Sequence, residues 1–146
     1  MNNSNIIEPV ERSPTIQEAT ALALNAQLAT LLGWTEITTV DGNLVGYPPV
    51  QKLFNENLTP LLQRVPNWTN DWADCGPLMV EHGCFPQEKG IHLKDDTIAQ
   101  IYICVPYTDT CFYVIDYETK NFAVREAIVN GVIQKLSGKG LNDESE

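Results

Sequence analysis

The stretch "WTEITTVDGNLVGY" (residues 34–47) predicts a β-hairpin and, with it, the class of the fold. Residues that favour strands stand on both sides of Asp41-Gly42, a pair that favours the two-residue turns of hairpins. Two later segments, "TIAQIYICV" (97–105) and "CFYVIDY" (111–117), are also rich in β-branched and aromatic residues and enclose the loop "PYTDT". Because both connections are hairpins rather than crossovers, the sequence predicts an antiparallel sheet of at least four strands.

Three helices are predicted to pack on this sheet, over residues 15–32, 70–82 and 120–136. The first begins with Thr15-x-x-Glu18, the spacing of a capping box, and Gly33 is expected to end it in the left-handed conformation. The tripeptide "IHL" (91–93) is expected to add a short edge strand. The resulting order, α-β-β-α-β-β-α, predicts an α+β fold: a single-domain sandwich of helices on an antiparallel sheet.

The chain has 146 residues, the size of one ordinary domain. We expect the folded domain over residues 14–137, between a flexible N-terminus (1–13) and a flexible acidic tail (138–146). The segment 48–66 contains several prolines and is predicted to be irregular, with one or two short helical turns.

The charge of the chain is strongly negative: 9 basic against 19 acidic residues give a net charge of −10. A protein that binds the phosphate backbone needs clustered positive charges, so the composition argues against a nucleic-acid partner. No apolar run approaches the length of a membrane span, and the first residues lack the pattern of a signal peptide. We therefore expect a cytoplasmic protein that does not bind a membrane.

The soft metal ligands have the spacing Cys75-x6-His82-x-Cys84-x7-His92, which lacks the tight cysteine pair that usually begins a zinc site. The sequence also contains no HExxH motif, no Gly-rich phosphate loop and no triad pattern in a recognisable context. We therefore predict no metal, no cofactor and no catalytic residue.

The stretch "NWTNDWADCGPLM" (67–79) carries the predicted binding site. Thr69 or Asn70 is predicted to cap the second helix, with Asp71 in its first turn, so that free N–H groups meet an anionic ligand. Trp68 is flanked by polar residues and is expected to be exposed, available to stack a base. Arg125, in the first turns of the last helix, would supply the positive charge that the protein otherwise lacks.

Other residues of this region have two interpretations. Gly76-Pro77 is expected to kink the second helix over the sheet, because proline cannot donate to the carbonyl four residues earlier. Trp34 and Trp72 fit either the core or the pocket, with the core favoured for both. Tyr47 and Tyr107 stand in predicted loops, where exposed aromatic residues often bind ligands, and are included in the predicted site.

Four segments, "LATLLGW", "NDWADCGPLMVEHG", "IYICV" and "NFAVREAIVNGVIQKL", occur in an order that resembles a group of small phage proteins. Over most of residues 15–136 the chain is similar to the phage ABA-sandwich domain family. The residues that match its pattern are Gly33-Trp34, Asp71-Trp72, Pro77, Glu81 and Ala123-Val124. The chain departs from the pattern at Cys75-Gly76, at His82 and in the apparent insertion 48–66. The resemblance implies the sandwich fold, a phage origin and a kink at Pro77.

Three functions remain open at this point. The first is a non-enzymatic phage protein that sequesters a nucleotide-derived immune signal of the host, such as a cyclic or linear ADP-ribose derivative or a cyclic oligonucleotide. The second is an acidic decoy that inhibits a host defence protein, and the third is a small nucleotide hydrolase. Because binding pockets favour interfaces, we also predict a homo-oligomer, a dimer or higher.

Overall fold

The computed structural model describes residues 15–49, 61–95 and 98–138, which form an α+β fold as predicted. In chain order the elements are α1 (Ile16–Leu31), β1 (Thr35–Val40), β2 (Asn43–Tyr47), β3 (Gln63–Arg64), α2 (Trp72–His82), β4 (Gln87–His92), β5 (Ile98–Cys104), β6 (Phe112–Tyr113) and α3 (Lys120–Ser137). A short 3-10 turn, Val114–Asp116, precedes the last helix. All three predicted helices are confirmed, with ends within two residues of those expected.

The strands of the described ranges form two antiparallel sheets, β1-β2-β3 and β4-β5-β6, rather than one. The prediction of a single sheet of at least four strands is therefore wrong. Both hairpins form, but Gln63–Arg64 pairs with the free edge of β2, so the first hairpin does not join the second. The edge strand predicted at 91–93 is longer than expected, since β4 begins at Gln87. It pairs with β5, which is therefore the central strand of its sheet.

The signals at the end of α1 and in the first hairpin are confirmed. Thr15 and Glu18 form both hydrogen bonds of the capping box, at 2.8 and 3.0 Å. Gly33 has a φ of 103°, and the Trp34 amide donates to the carbonyl of Ala29 at 2.9 Å, which is the Schellman ending. Asp41 and Gly42 both have positive φ, at 52° and 81°, as a type I′ turn requires.

The third helix is the centre of the core. It packs against α1, α2 and both β5 and β6, so apolar residues are buried on more than one of its faces. Four of the five residues predicted for its buried face are buried and Leu136 is half-buried; the five are Phe122, Val129, Val132, Ile133 and Leu136. Gly131 is also buried, and it packs so closely on the residues that follow α2 that a Cβ at this position would stand 2.5 Å from Cys84 Sγ.

Several predictions fall on residues 1–14, 50–60, 96–97 and 139–146, which lie outside the described residues. They are the flexible N-terminus, nearly all of the acidic tail and the middle of the irregular segment 48–66. Within the described part of the chain, no helix is both long and apolar enough to cross a membrane.

Candidate ligand cleft

A cleft of about 510 Å³ lies between α1, the first sheet, the segment that leads into α2, and α3. This volume is in the range of sites that hold small molecules. Its lining combines four asparagine amides and an arginine with apolar side chains. The lining residues are Glu18, Leu22, Asn25, Thr39, Gly42, Asn43, Leu44, Arg64, Val65, Pro66, Asn67, Asn70 and Phe122.

Asn25, on the buried face of α1, organises one wall of this cleft. Its side chain is 3% exposed, and its Nδ2 donates to Asn67 Oδ1 at 2.9 Å and to Thr69 Oγ1 at 3.1 Å. Its Oδ1 accepts a hydrogen bond from the backbone amide of Thr69 at 3.3 Å. Because both ends of the Asn25 amide are occupied, Asn25 holds the segment 67–69 in place rather than offering groups to a ligand.

The amides of Asn67 and Asn70 each keep one end unoccupied. Asn67 Oδ1 accepts from both Asn25 Nδ2 and Asn70 Nδ2, at 2.9 and 3.1 Å, which leaves Asn67 Nδ2 with no acceptor among the described residues. Asn70 Nδ2 donates to Asn67 Oδ1 and, at 3.4 Å, to Thr69 Oγ1. The other end of this amide, Asn70 Oδ1, accepts no hydrogen bond from the described residues. The cleft wall therefore offers one amide donor group and one amide acceptor from adjacent side chains.

Arg64 brings a positive charge to the cleft. It is an exposed residue on the two-residue strand β3, whose pairing with Val45 in β2 fixes its position. Its Nη2 donates to Asn43 Oδ1 at 3.4 Å, and Arg64 forms no ion pair within the described residues. The remaining guanidinium N–H groups are therefore available for a phosphate or carboxylate group.

Trp68 was predicted as an exposed stacking residue, and this prediction is wrong: its side chain is 5% exposed and belongs to the core. Its polar neighbours do not signal exposure, because Asn67 and Thr69 form hydrogen bonds with Asn25. Trp72, for which the core was favoured, is 38% exposed instead. Thus the two tryptophans of this stretch have the opposite of their expected environments.

The N-terminus of α2 is also not the open anion site that was predicted. Asp71, rather than Thr69 or Asn70, is the N-cap, and its carboxylate accepts from the amide of Ala73 at 2.9 Å. The carboxylate of Asp74 accepts from the backbone amide of Asn67 at 2.8 Å. Two negative charges therefore occupy the start of the helix, where they disfavour a further anion. Thr69 is fully buried, so of the four residues predicted here only Asn70 lines the cleft.

Arg125 does meet the predicted segment, but it does not line the cleft. Its Nε donates to the carbonyl of Thr69 at 2.9 Å, and its guanidinium carbon lies 5.4 Å from the centre of the Trp72 ring. Burial lowers the pKa of this guanidinium, although Cys75 and Asp71 act in the opposite direction. We interpret Arg125 as a group that fastens α3 to the segment before α2.

The other aromatic residues of the predicted site lie apart from the cleft lining. Trp34 is half-buried against the core, and Tyr47 is half-buried at the end of β2. Tyr107 has a φ of 77°, donates from its hydroxyl to the carbonyl of His82 at 3.2 Å, and lies under Lys135. The structure therefore does not bring these three residues together with Asn70.

A buried carboxylate lies next to the cleft on α3. Glu126 is 5% exposed, its Oε1 accepts from the hydroxyl of Tyr117 at 3.2 Å, and its Oε2 is buried with no hydrogen-bond partner among the residues that the structure describes. Burial raises the pKa of Glu126, although the hydrogen bond from Tyr117 acts in the opposite direction. Phe122, one helical turn earlier, stands in the cleft lining, while Glu126 does not.

The residues weighed as metal ligands are dispersed. Cys75 and Cys84 are fully buried, and burial raises the pKa of their thiols to about 12 and about 11. His82 is half-buried at the end of α2, and burial lowers its pKa. Within residues 15–49, 61–95 and 98–138, no three His, Cys, Asp or Glu side chains stand close enough together to hold a metal ion.

Sequence reasoning missed the residues that build the cleft: Asn25, Asn67 and Arg64. One signal was present for Asn25, which stands four residues after Ala21 and three before Leu28 on the apolar face of α1. A polar amide at such a position must find partners when it is buried. No comparable local pattern marks Arg64, since its place depends on the pairing of β3.

Comparisons with models of known families, with curated proteins and with solved structures found no match to this chain.

Proposed function

We propose that this protein binds a small nucleotide-derived ligand in the cleft and holds it without chemical change. The observation that carries this proposal is the pairing of unoccupied amide groups on Asn67 and Asn70 with the guanidinium of Arg64 in one cleft. A nucleobase edge carries donors and acceptors side by side, and amide side chains recognise such edges. A phosphate of the same ligand would meet Arg64.

The apolar part of the cleft supports the same class of ligand. Leu22, Leu44, Val65 and Phe122 give it surfaces against which the flat faces of a base can pack. Because the chain carries a net charge of −10, an anionic ligand needs a local positive group to overcome the general repulsion. Arg64 is such a group in the cleft lining.

The biological role that we propose follows from the resemblance to small phage proteins. In an infected bacterial cell the protein would sequester a nucleotide-derived immune signal, either an ADP-ribose derivative or a cyclic oligonucleotide. Such a role places it in the host cytoplasm and requires tight binding rather than turnover. We also propose that it acts as a homo-oligomer, which light scattering at micromolar concentration would test by its mass.

Calorimetry with a panel of cyclic and linear ADP-ribose derivatives and cyclic dinucleotides tests this function. The wild-type protein is expected to bind at least one compound, which chromatography then recovers unchanged. Arg64→Gln should weaken that binding by about 1.5–3 kcal/mol, the range for a hydrogen bond to a charged group.

Lys120→Gln is the matched control, because it removes one exposed positive charge that pairs with Glu88 on the surface and does not line the cleft. It should leave the affinity unchanged. If no compound of the panel binds, the proposal fails, and the acidic decoy becomes the better account. If the compound is recovered cleaved, the protein is a hydrolase.

A further inference from the structure

Two of the four cysteines face each other across the hairpin of the second sheet. The register of β5 and β6 pairs Ile103 with Phe112, and its continuation by one residue places Cys104 opposite Cys111, which directly precedes β6. Residues directly opposite in such a ladder have Cα atoms about 4.5–5.5 Å apart. This separation falls within the range of about 4.4–6.8 Å that a disulfide spans.

Both thiols lie on the outer face of this sheet. Ile103 and Phe112 are buried at 1% and 6% exposure, and neighbouring residues along a strand point to opposite faces. Cys104 is accordingly half-exposed and Cys111 is exposed, and burial together with the neighbouring Cys111 thiol raises the pKa of Cys104. The two thiols are therefore close enough to form a disulfide and exposed enough to react with a dissolved disulfide.

The other two cysteines provide a contrast within the same chain. Cys75 and Cys84 are 0% exposed, and the Cys84 thiol donates to the carbonyl of Ile128 at 3.5 Å. Burial leaves them without access to an oxidant, so they behave as apolar core residues.

We propose that Cys104 and Cys111 are a reversible dithiol–disulfide pair that responds to low-molecular-weight disulfides. The thiolate of the exposed Cys111 attacks glutathione disulfide, forms a mixed disulfide and releases one glutathione thiolate. The Cys104 thiolate then attacks the Cys111 sulfur and releases the second glutathione. The two cysteines lose two protons and two electrons, and one glutathione disulfide is reduced to two molecules of glutathione.

Lys89 is a positive neighbour of this pair. It pairs with Tyr102, two residues from Cys104 on the same face, and its charge partly offsets the rise in the pKa of Cys104 that burial and Cys111 cause. The bridge would close the loop 105–110, in which Tyr107 has its left-handed backbone and its hydrogen bond to His82. Oxidation is therefore expected to slow hydrogen exchange in this loop.

The test is to incubate the reduced full chain in glutathione buffers of increasing disulfide content, quench with acid, alkylate and map the cysteines by mass spectrometry. Wild-type protein should lose two hydrogen masses as a monomer, with the bridge between Cys104 and Cys111. Cys104→Ser should lose the bridge and keep a glutathione adduct on Cys111. Both buried cysteines should react with the alkylating agent only after denaturation.

Three results would overturn the proposal. One is a wild-type protein that accumulates the Cys111 adduct without closing the bridge. Another is a bridge that includes Cys75 or Cys84. The third is oxidation that yields disulfide-linked dimers in place of the monomeric product.

Discussion

Replacing Asn25 by alanine should destabilise the protein strongly, although the residue is a polar one in a helix. The substitution removes two hydrogen bonds donated by the Asn25 amide, to Asn67 and Thr69, and one that it accepts from the Thr69 backbone. Thr69 is fully buried, so its amide would be left without a partner or a water molecule. Each hydrogen bond is worth about 1 kcal/mol net, and an unpaired buried donor costs about 1–3 kcal/mol. Two donated hydrogen bonds and one unpaired buried amide together give an expected loss of about 3–5 kcal/mol.

Urea unfolding followed by circular dichroism measures this loss as a shift of the midpoint at constant slope. Gln27→Ala is the control, because Gln27 is an exposed amide on the same helix and should change the free energy of unfolding by less than about 0.5 kcal/mol. If Asn25→Ala is as stable as Gln27→Ala, the amide network does not hold the segment 67–69 in place.

Three other predictions, with five substitutions, test the packing and the buried charge. Gly131→Ala should destabilise the protein by about 1–3 kcal/mol in thermal unfolding, because the added Cβ would overlap the buried sulfur of Cys84. Gly76→Ala is the control: a Cβ there meets open space, so it should stabilise the protein by about 0.5–1 kcal/mol. Equal effects of the two substitutions would contradict the close packing at Gly131. Trp68→Ala should lower the free energy of unfolding by about 3–5 kcal/mol, and Trp72→Ala should lower it clearly less because Trp72 is exposed. The reverse order would refute the burial assigned to these two residues. The raised pKa of Glu126 means that the folded state holds this proton more tightly than the unfolded state, so the stabilisation is complete at low pH and lost as pH rises through that raised pKa. Glu126→Gln should therefore gain stability relative to wild type as pH rises above about 4, the ordinary pKa of a glutamate, and parallel curves would contradict this expectation.

The features that sequence predicted correctly depend on a few consecutive residues. The capping box of Thr15 and Glu18 and the turn at Asp41-Gly42 are local, because each is satisfied by backbone groups within four residues. Their geometry does not depend on the rest of the fold. The same holds for the helices, whose apolar periodicity matched the observed core of α3.

The features that sequence could not supply depend on distant partners. The polar setting of Trp68 indicated exposure, yet Asn67 and Thr69 bond to Asn25, more than forty residues earlier in the chain. The position of Arg64 likewise depends on the pairing of β3 with β2. A strand of two residues is too short to show a pattern from which this pairing could be predicted. Of the residues predicted from local pattern at 68–71, only Asn70 therefore lines the cleft.

The most direct test of the account is to locate the ligand by nuclear magnetic resonance. The protein, labelled with nitrogen-15, is titrated with the compound of the calorimetric panel that binds most tightly, and the side-chain amide signals are followed. We expect the signals of Asn67 and Asn70 to shift together with the backbone signal of Arg64, while those of Arg125 and Trp72 stay unchanged. Shifts that centre on Arg125 and Trp72, with the asparagine amides unmoved, would contradict the assignment of the cleft as the binding site.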